Sequence, residues 1–137
     1  MLKLKIHNAK ELDRNAKCTV HTSGKLGFSE GGMKRMALKP EVYVVIASNE
    51  EDPSDDNLYA WVEINDQNGG FKVCKAGEYF YLNTKTLFDE LKVDYRNKDI
   101  VTIYDIIGEQ YEGKSIFRLQ KRIQKRSKKK KSEITDT

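Results

Sequence analysis

The residues with the clearest chemical potential are the basic side chains near the C-terminal end of the sequence. Residues 117–137 include nine basic and two acidic side chains. A block of like charge repels itself, stays solvated and usually serves as an interaction arm for a polyanion. Lys and Arg displace the counterions of nucleic-acid phosphates, which gives affinity without sequence information. The predicted phosphate-binding residues of this segment are Lys121, Arg122, Lys125, Arg126, Lys128, Lys129, Lys130 and Lys131.

The rest of the chain has the opposite charge. The whole sequence has 25 basic and 21 acidic residues, a net charge of +4, so residues 1–116 keep 16 basic and 19 acidic residues. A mildly acidic body therefore precedes a basic segment. A solubilising terminus stays open as an alternative role for that segment, and so does contact with an acidic protein partner. The acidic loop Glu50–Asp56 is a candidate to shield it.

A second candidate site combines aromatic and basic side chains on two predicted strands. Bases of a single strand stack on exposed aromatic rings beside a cationic groove, at roughly 1–3 kcal/mol per base. Alternation along the predicted strand puts Tyr79 and Tyr81 on one face and Phe80 on the other. We expect Phe80 in the core. A solvated tyrosine pair without a ligand stays open as the alternative. The predicted residues are Phe71, Lys72, Lys75, Tyr79 and Tyr81.

No motif for catalysis or metal binding stands out. The sequence lacks a phosphate-binding P-loop and a nucleophile elbow, and neither His7 nor His21 has a partner motif. Cys18 and Cys74 are far apart in sequence, which is typical of reduced thiols in a cytoplasmic protein. We therefore expect no enzyme, no metal and no cofactor. No stretch approaches the roughly 18 apolar residues of a membrane span, so no membrane partner is expected.

The hydrophobic pattern predicts about eight short strands and two short helices. Apolar residues alternate with lysines over Leu2–Ile6, which predicts an edge strand. Cys18–Thr22 is predicted to pair with Lys25–Phe28 across a turn at Ser23–Gly24.

Ser29 is a predicted N-cap for the first helix, which Pro40 ends, and Asn83 or Thr84 is a predicted cap for the second. Strands cluster around single helices, which favours an α+β fold with a mostly antiparallel sheet or small barrel. We predict one globular domain over residues 1–119 and a disordered basic tail over 120–137, mobile beyond about Arg122.

The surroundings of the two predicted helices are alike. Gly24–Ala47 and Glu78–Ile106 each read as strand, capping residue, helix, polar turn and Val/Ile-rich strand. An offset of 55 residues, estimated by placing Ser29 on Thr84, aligns them. This suggests an internal duplication of a strand–helix–strand unit. Chance recurrence of such units stays open as the alternative.

Residues 24–47 resemble the AbrB/SpoVT-type swapped-hairpin DNA-binding element. The resemblance lies in a Gly–basic pair at Gly24, an apolar strand, a short basic helix, a Leu-Lys-Pro exit at Leu38, and a Val-rich strand. Ser29 stands where that family usually has Pro, and the turn after Pro40 is shortened. In that family the element dimerises and its basic loops contact DNA. The resemblance therefore implies phosphate contacts for Lys25, Lys34 and Arg35, and a homodimer or a pseudo-dimeric chain.

Two functional hypotheses follow from these features. The first is a small nucleic-acid-binding protein whose body supplies shape or base stacking and whose basic segment supplies phosphate affinity. The second is a protein–protein adaptor or structural component whose basic segment contacts an acidic partner. The choice between DNA and RNA, and between single and double strands, stays open at this level.

Overall fold

A computed structural model describes residues 1–7, 9 and 15–126 of the chain. Within these residues, nine strands and two six-residue helices occur. The strands are β1 (Lys17–Val20), β2 (Leu26–Phe28), β3 (Tyr43–Ala47), β4 (Leu58–Glu63), β5 (Phe71–Lys72), β6 (Cys74–Ala76), β7 (Tyr79–Leu82), β8 (Ile100–Tyr111) and β9 (Lys114–Lys125). The helices are α1 (Glu30–Arg35) and α2 (Lys85–Glu90).

All nine strands join one antiparallel sheet that forms a nearly closed barrel. The strand order is β5-β3-β4-β9-β8-β1-β2-β7-β6. The two end strands, β5 and β6, are consecutive in the chain and are separated by Val73 alone. Lys72 pairs with Tyr43 of β3, whereas Cys74 pairs with Tyr81 of β7. The chain therefore changes partner strand at one residue, which brings the two ends of the sheet together.

The core fills the inner face of this sheet. Cys18, Leu26, Tyr104 and Ile106 are almost fully buried. Phe88 of α2 lies parallel to Tyr104, with ring centroids 6.1 Å apart. Burial raises the pKa of the Cys18 thiol, so this thiol stays protonated. The helices thus add little to a core that the strands dominate: Phe88 from α2 and the partly buried Met33 from α1.

The predicted helix caps differ in how they work. Ser29 caps α1, because its hydroxyl accepts a hydrogen bond from the Gly32 N–H at 3.0 Å. The same hydroxyl accepts from the Lys17 N–H at 3.1 Å and donates to the Asn15 carbonyl at 2.6 Å. Thr84 precedes α2 but makes no cap bond; its hydroxyl donates to the Gly24 carbonyl instead. Both side chains therefore tie a helix start to the sheet.

The predicted α+β class is wrong, and so is the strand–helix–strand duplication. The small antiparallel barrel was the correct part, because the sheet dominates and the two helices are single short segments. The strands that flank α1 are not neighbours: β2 pairs with β1 and β7, and β3 pairs with β4 and β5. The later strands also differ, with 5 residues in β3 and 12 in β8. The likeness is limited to the two helices, which have equal length at the predicted offset, and to the residues after them, where Ala37 and Lys92 both have positive φ.

Both ends of the described chain also differ from the sequence-based expectation. The alternating segment Leu2–Ile6 forms no strand, and its apolar side chains are exposed. At the other end, β9 runs to Lys125, past the boundary predicted at residue 119. Pairing with β8 extends to the Ile100–Lys125 pair, so residues 120–125 belong to the sheet. The remainder of the predicted tail, residues 127–137, lies outside the described residues.

Replacing Ser29 tests the cap that joins α1 to β1. Ser29→Ala removes one hydroxyl that serves three backbone groups, so we expect a loss of about 1–3 kcal/mol in the free energy of unfolding. Ser29→Thr keeps the hydroxyl and is the matched control, with the smaller loss. Urea denaturation followed by circular dichroism measures both. Equal stability of Ser29→Ala and the parent protein would contradict the role given to this hydroxyl.

Candidate nucleic-acid interface

Two tyrosines and a lysine come together on the outer face of the barrel. Alternation along β7 turns Leu82 into the core and places Tyr79 and Tyr81 on the outer side. Their rings are stacked, with centroids 6.3 Å apart and an angle of 21° between the planes. The Lys25 Nζ lies 4.9 Å from the centroid of the Tyr81 ring. We call His21, Lys25, Tyr79 and Tyr81 the tyrosine patch.

A glycine on β2 makes room for the patch. Gly27 pairs with Tyr81, and the side chain of Tyr79 lies across its Cα. A Cβ atom at Gly27 would lie only 1.3 Å from the Tyr79 hydroxyl oxygen and 2.4 Å from His21 Nε2. No side chain fits there. The absence of a Cβ at this position therefore lets the Tyr79 ring lie against the sheet and reach His21, the residue after β1.

The turn between β1 and β2 sets the position of Lys25. The His21 N–H donates to the Lys25 carbonyl at 2.9 Å, and the Gly24 N–H donates to the His21 carbonyl at 2.8 Å. Gly24 has a φ of 87°, which favours glycine. The buried Thr84 hydroxyl donates to the Gly24 carbonyl at 2.9 Å and anchors the turn to the start of α2. The sequence predicted this hairpin, and the β1–β2 pairing confirms it.

The electrostatics of the patch favour a neutral histidine. Partial burial lowers the pKa of His21, and the positive charges of Arg126 and Lys25 lower it further. Burial raises the pKa of Tyr79, so its hydroxyl keeps its proton. The two side chains are hydrogen-bonded, which fits a Tyr79 O–H that donates to Nε2 of the neutral ring. His21 is therefore a neutral ring that accepts a hydrogen bond from Tyr79, near the positive charges of Lys25 and Arg126.

The predicted aromatic–lysine site comes together only in part. Phe71 packs against the core, so it does not join the two tyrosines. Lys72 forms an ion pair with Glu41 at 3.6 Å. Lys75 pairs with Phe80 and therefore lies on the opposite face of the sheet from the tyrosines. Of that predicted group, Tyr79 and Tyr81 share the patch.

The residues implied by the swapped-hairpin resemblance are also separated. Lys25 belongs to the tyrosine patch. Lys34 forms an exposed ion pair with Glu30 at 3.1 Å on α1. Arg35 turns toward β8 and donates to the Ile106 carbonyl at 2.7 Å. Arg35 therefore ties the helix to the sheet.

The basic residues of β9 have different environments. Lys121 lies 3.9 Å from Asp56. This is one contact between the basic segment and the acidic loop that is a candidate to shield it. Arg122 holds the buried Asp105 through two nitrogens, at 2.7 and 3.2 Å. Lys125 is exposed. The Arg126 Nε donates to the Ile100 carbonyl at 2.9 Å, and its charge reaches His21. Lys128, Lys129, Lys130 and Lys131 lie outside the described residues.

Sequence reasoning missed His21, because a histidine without a recognisable partner motif gave no signal. The predicted hairpin held the missing information. A turn at Ser23–Gly24 necessarily places His21 beside Lys25, and the pairing of β2 with β7 then adds Tyr79. That second pairing joins strands more than fifty residues apart, which no local pattern reveals.

The patch combines stacking surfaces with positive charge. Within residues 1–7, 9 and 15–126, no group of three or more His, Cys, Asp or Glu side chains could hold a metal ion. The same residues contain no helix with the length and apolar character of a membrane span. Neither a protein family, nor a curated protein, nor a solved structure matches the chain. The chemistry of the patch is therefore the basis for a functional assignment.

Adding a methyl group at Gly27 tests the packing of the patch. Gly27→Ala places its Cβ within the Tyr79 hydroxyl position, so the ring must move; we expect a loss of about 1–3 kcal/mol in the free energy of unfolding. In a Tyr79→Ala background the clash with the ring is gone and the contact with His21 Nε2 at 2.4 Å remains, so the cost of the methyl group should fall. Chemical denaturation of the four proteins measures the coupling. Additive losses would show that Tyr79 does not lie over Gly27.

The pKa of His21 predicts how stability changes with pH. A histidine whose pKa is lower in the folded state binds fewer protons when folded, so stability falls as pH drops below about 6.5. NMR titration of the His21 ring should show a midpoint below 6.5. His21→Gln should reduce the loss of stability between pH 7 and pH 5, estimated as the main window of this titration. A midpoint at or above 6.5 would exclude the environment described here.

Proposed function

We propose that the protein binds single-stranded nucleic acid, with the tyrosine patch as the stacking surface. The observation that carries the proposal is the parallel pair of Tyr79 and Tyr81 with the Lys25 ammonium group beside it. Single-strand-binding proteins combine such aromatic surfaces with positive charge, and stacking is tolerant of base identity. Bases within a duplex already stack on each other, so the patch favours unpaired bases.

Exposure of the patch supports this use. Tyr79 is 37% exposed although its hydroxyl is hydrogen-bonded to His21, so part of the ring is open to solvent. Tyr81 is half-buried, and Lys25 is exposed beside it. A base that stacks on this surface places its phosphate near Lys25. The hydrogen bond to His21 and the contact with Gly27 hold Tyr79 in place, which limits the entropy lost on binding.

The phosphate-binding role is distributed unevenly among the basic residues. Arg122 is engaged with Asp105 and Lys121 lies near Asp56, so both contribute less free charge than predicted. Lys125 is exposed, and the charge of Arg126 already reaches the patch through His21. Lys128–Lys131 follow in the sequence after Ser127. The proposal therefore assigns phosphate contacts mainly to Lys25, Lys125, Arg126 and these four lysines.

Duplex binding in the swapped-hairpin manner has less support. It would use Lys34 and Arg35, but Lys34 is paired with Glu30 and Arg35 bonds to the Ile106 carbonyl. The adaptor hypothesis has a separate basis, an open sheet edge on β9, which is treated below. The tyrosine patch itself favours a nucleic-acid ligand, because flat rings beside a cation complement bases and phosphates.

Alanine substitutions at the patch test the proposal. Tyr81→Ala should weaken binding of a labelled single-stranded oligonucleotide by roughly 1–3 kcal/mol through lost stacking. Tyr111→Ala is the matched control, because Tyr111 is exposed on the β8–β9 hairpin away from the patch. Fluorescence anisotropy with single- and double-stranded oligonucleotides measures both. Equal binding by both variants, with folding intact by circular dichroism, would remove the patch from the mechanism.

Salt dependence separates the lysines from the tyrosines in the same assay. Each phosphate contact on a single strand contributes a slope of about −0.7 to log affinity against log salt. Lys25→Ala and replacement of Lys128–Lys131 by Gln should flatten the slope, whereas Tyr81→Ala should lower affinity at every salt concentration. Lys34→Ala is the control, since Lys34 is exposed and paired with Glu30. An unchanged slope in the Gln variant would exclude those four lysines.

A further inference from the structure

The end of β9 is a sheet edge with one side open in the described part of the chain. β4 pairs with β9 only from Leu58–Leu119 to Ala60–Phe117. Beyond Leu119, β9 continues to Lys125 and pairs there with β8 alone. Residues 120–125 therefore have β8 on one side and, among the described residues, no neighbouring strand on the other.

Two hydrogen bonds establish which peptide groups face the open side. The Lys121 N–H donates to the Asn57 side-chain oxygen at 3.0 Å, on the side away from β8. The Arg126 N–H donates to the Asp99 carbonyl at 2.9 Å, on the β8 side. Peptide groups alternate along a strand, so those of Ile123 and Lys125 also point away from β8. The Asn57 oxygen takes the place of a carbonyl from a neighbouring strand.

The side chains of this edge have a clear chemical character. Ile123 is 58% exposed, and its neighbours on the same face are Lys121 and Lys125. Lysines at a sheet edge discourage pairing with neutral or basic strands. Carboxylates on a neighbouring strand directly opposite these lysines would be attracted to their positive charge. The edge is therefore selective for an acidic strand.

We propose that this edge binds an extended acidic peptide as an added strand. An apolar residue of the peptide lies opposite Ile123, and acidic residues lie opposite Lys125 and Lys121, the latter in exchange for the 3.9 Å contact of Lys121 with Asp56. Main-chain hydrogen bonds to Ile123 and Lys125 give affinity, and the charges set the register. A second copy of the chain is a poorer fit, because antiparallel self-pairing centred on Ile123 would place Lys121 of each copy opposite Lys125 of the other.

Charge-matched peptides test the proposal with the full chain. The probe, called the Glu–Val peptide, is a fluorescein-labelled peptide with a central Val, a Glu two residues to either side of it and Thr at the positions between. The control has Pro in place of the central Val. Both carry the same charge, but Pro removes a backbone donor and disfavours the added strand. We expect the Pro peptide to bind about tenfold more weakly in an anisotropy assay. Equal affinity would mean that the basic segment attracts any acidic chain, and would overturn the proposal.

A substitution on the protein side gives an independent measurement. Ile123→Pro removes an N–H that points away from β8, so the β8–β9 hydrogen bonds remain. Ile123→Ala keeps the N–H and is the matched control. We expect Ile123→Pro to bind the Glu–Val peptide about five- to tenfold more weakly than Ile123→Ala. Equal binding by two folded variants would overturn the proposal; if Ile123→Pro fails to fold, the peptide comparison decides.

This edge is distinct from the tyrosine patch, so either proposal can be contradicted by experiment while the other stands. Substitutions at Tyr79 or Tyr81 should leave peptide binding unchanged. The Ile123 variants should leave the preference for single-stranded oligonucleotides unchanged.

Discussion

Closure of the sheet at Val73 is the constraint on which the other features depend. A nine-stranded sheet with two free ends would expose unpaired backbone groups on β5 and β6. The Val73 N–H donates to the Val42 carbonyl at 2.8 Å, and its side chain is buried in the core. One residue thus ends the pairing with β3 and begins the pairing with β7. Because β6 holds the outer edge of β7, the tyrosines of β7 have a fixed orientation.

The tyrosine patch depends on contacts that are distant in sequence. Tyr79 can lie flat only because Gly27 has no side chain, and Gly27 meets it only because β2 pairs with β7. Thr84 adds a second link by binding the turn that carries Lys25. Packing requirements therefore determine the shape of the patch, and its exposed ring surface and cation are what remain for a ligand. A patch held by the fold in this way requires little reorganisation on binding.

Local features were predictable from the sequence, whereas the pairing of strands distant in sequence was not. The β1–β2 hairpin, the Ser29 cap and the outward orientation of Tyr79 and Tyr81 follow from turn residues, capping chemistry and alternation. The predicted α+β class was wrong because it treated two six-residue helices as a separate layer of the fold. The alternation of Leu2–Ile6 predicted a strand, yet a strand also needs a neighbour, and this segment has none in the described part of the chain.

The basic segment shows most directly that a local pattern does not reveal which strand a segment pairs with. A run of positive charge predicted a tail, but Phe117, Leu119 and Ile123 within it share one face of a strand. Phe117 packs against the core and Leu119 is buried. Pairing with the apolar β8 outweighs charge repulsion as far as Lys125. Within β9, neighbouring residues have different roles. Arg122 neutralises the buried Asp105, while the Ile123 peptide group faces away from β8. The charge of β9 therefore stabilises the barrel, and in the proposals made above it also contributes to binding. Loss of Arg122 would then impair both, whereas loss of the exposed Lys125 would change the proposed binding surface alone.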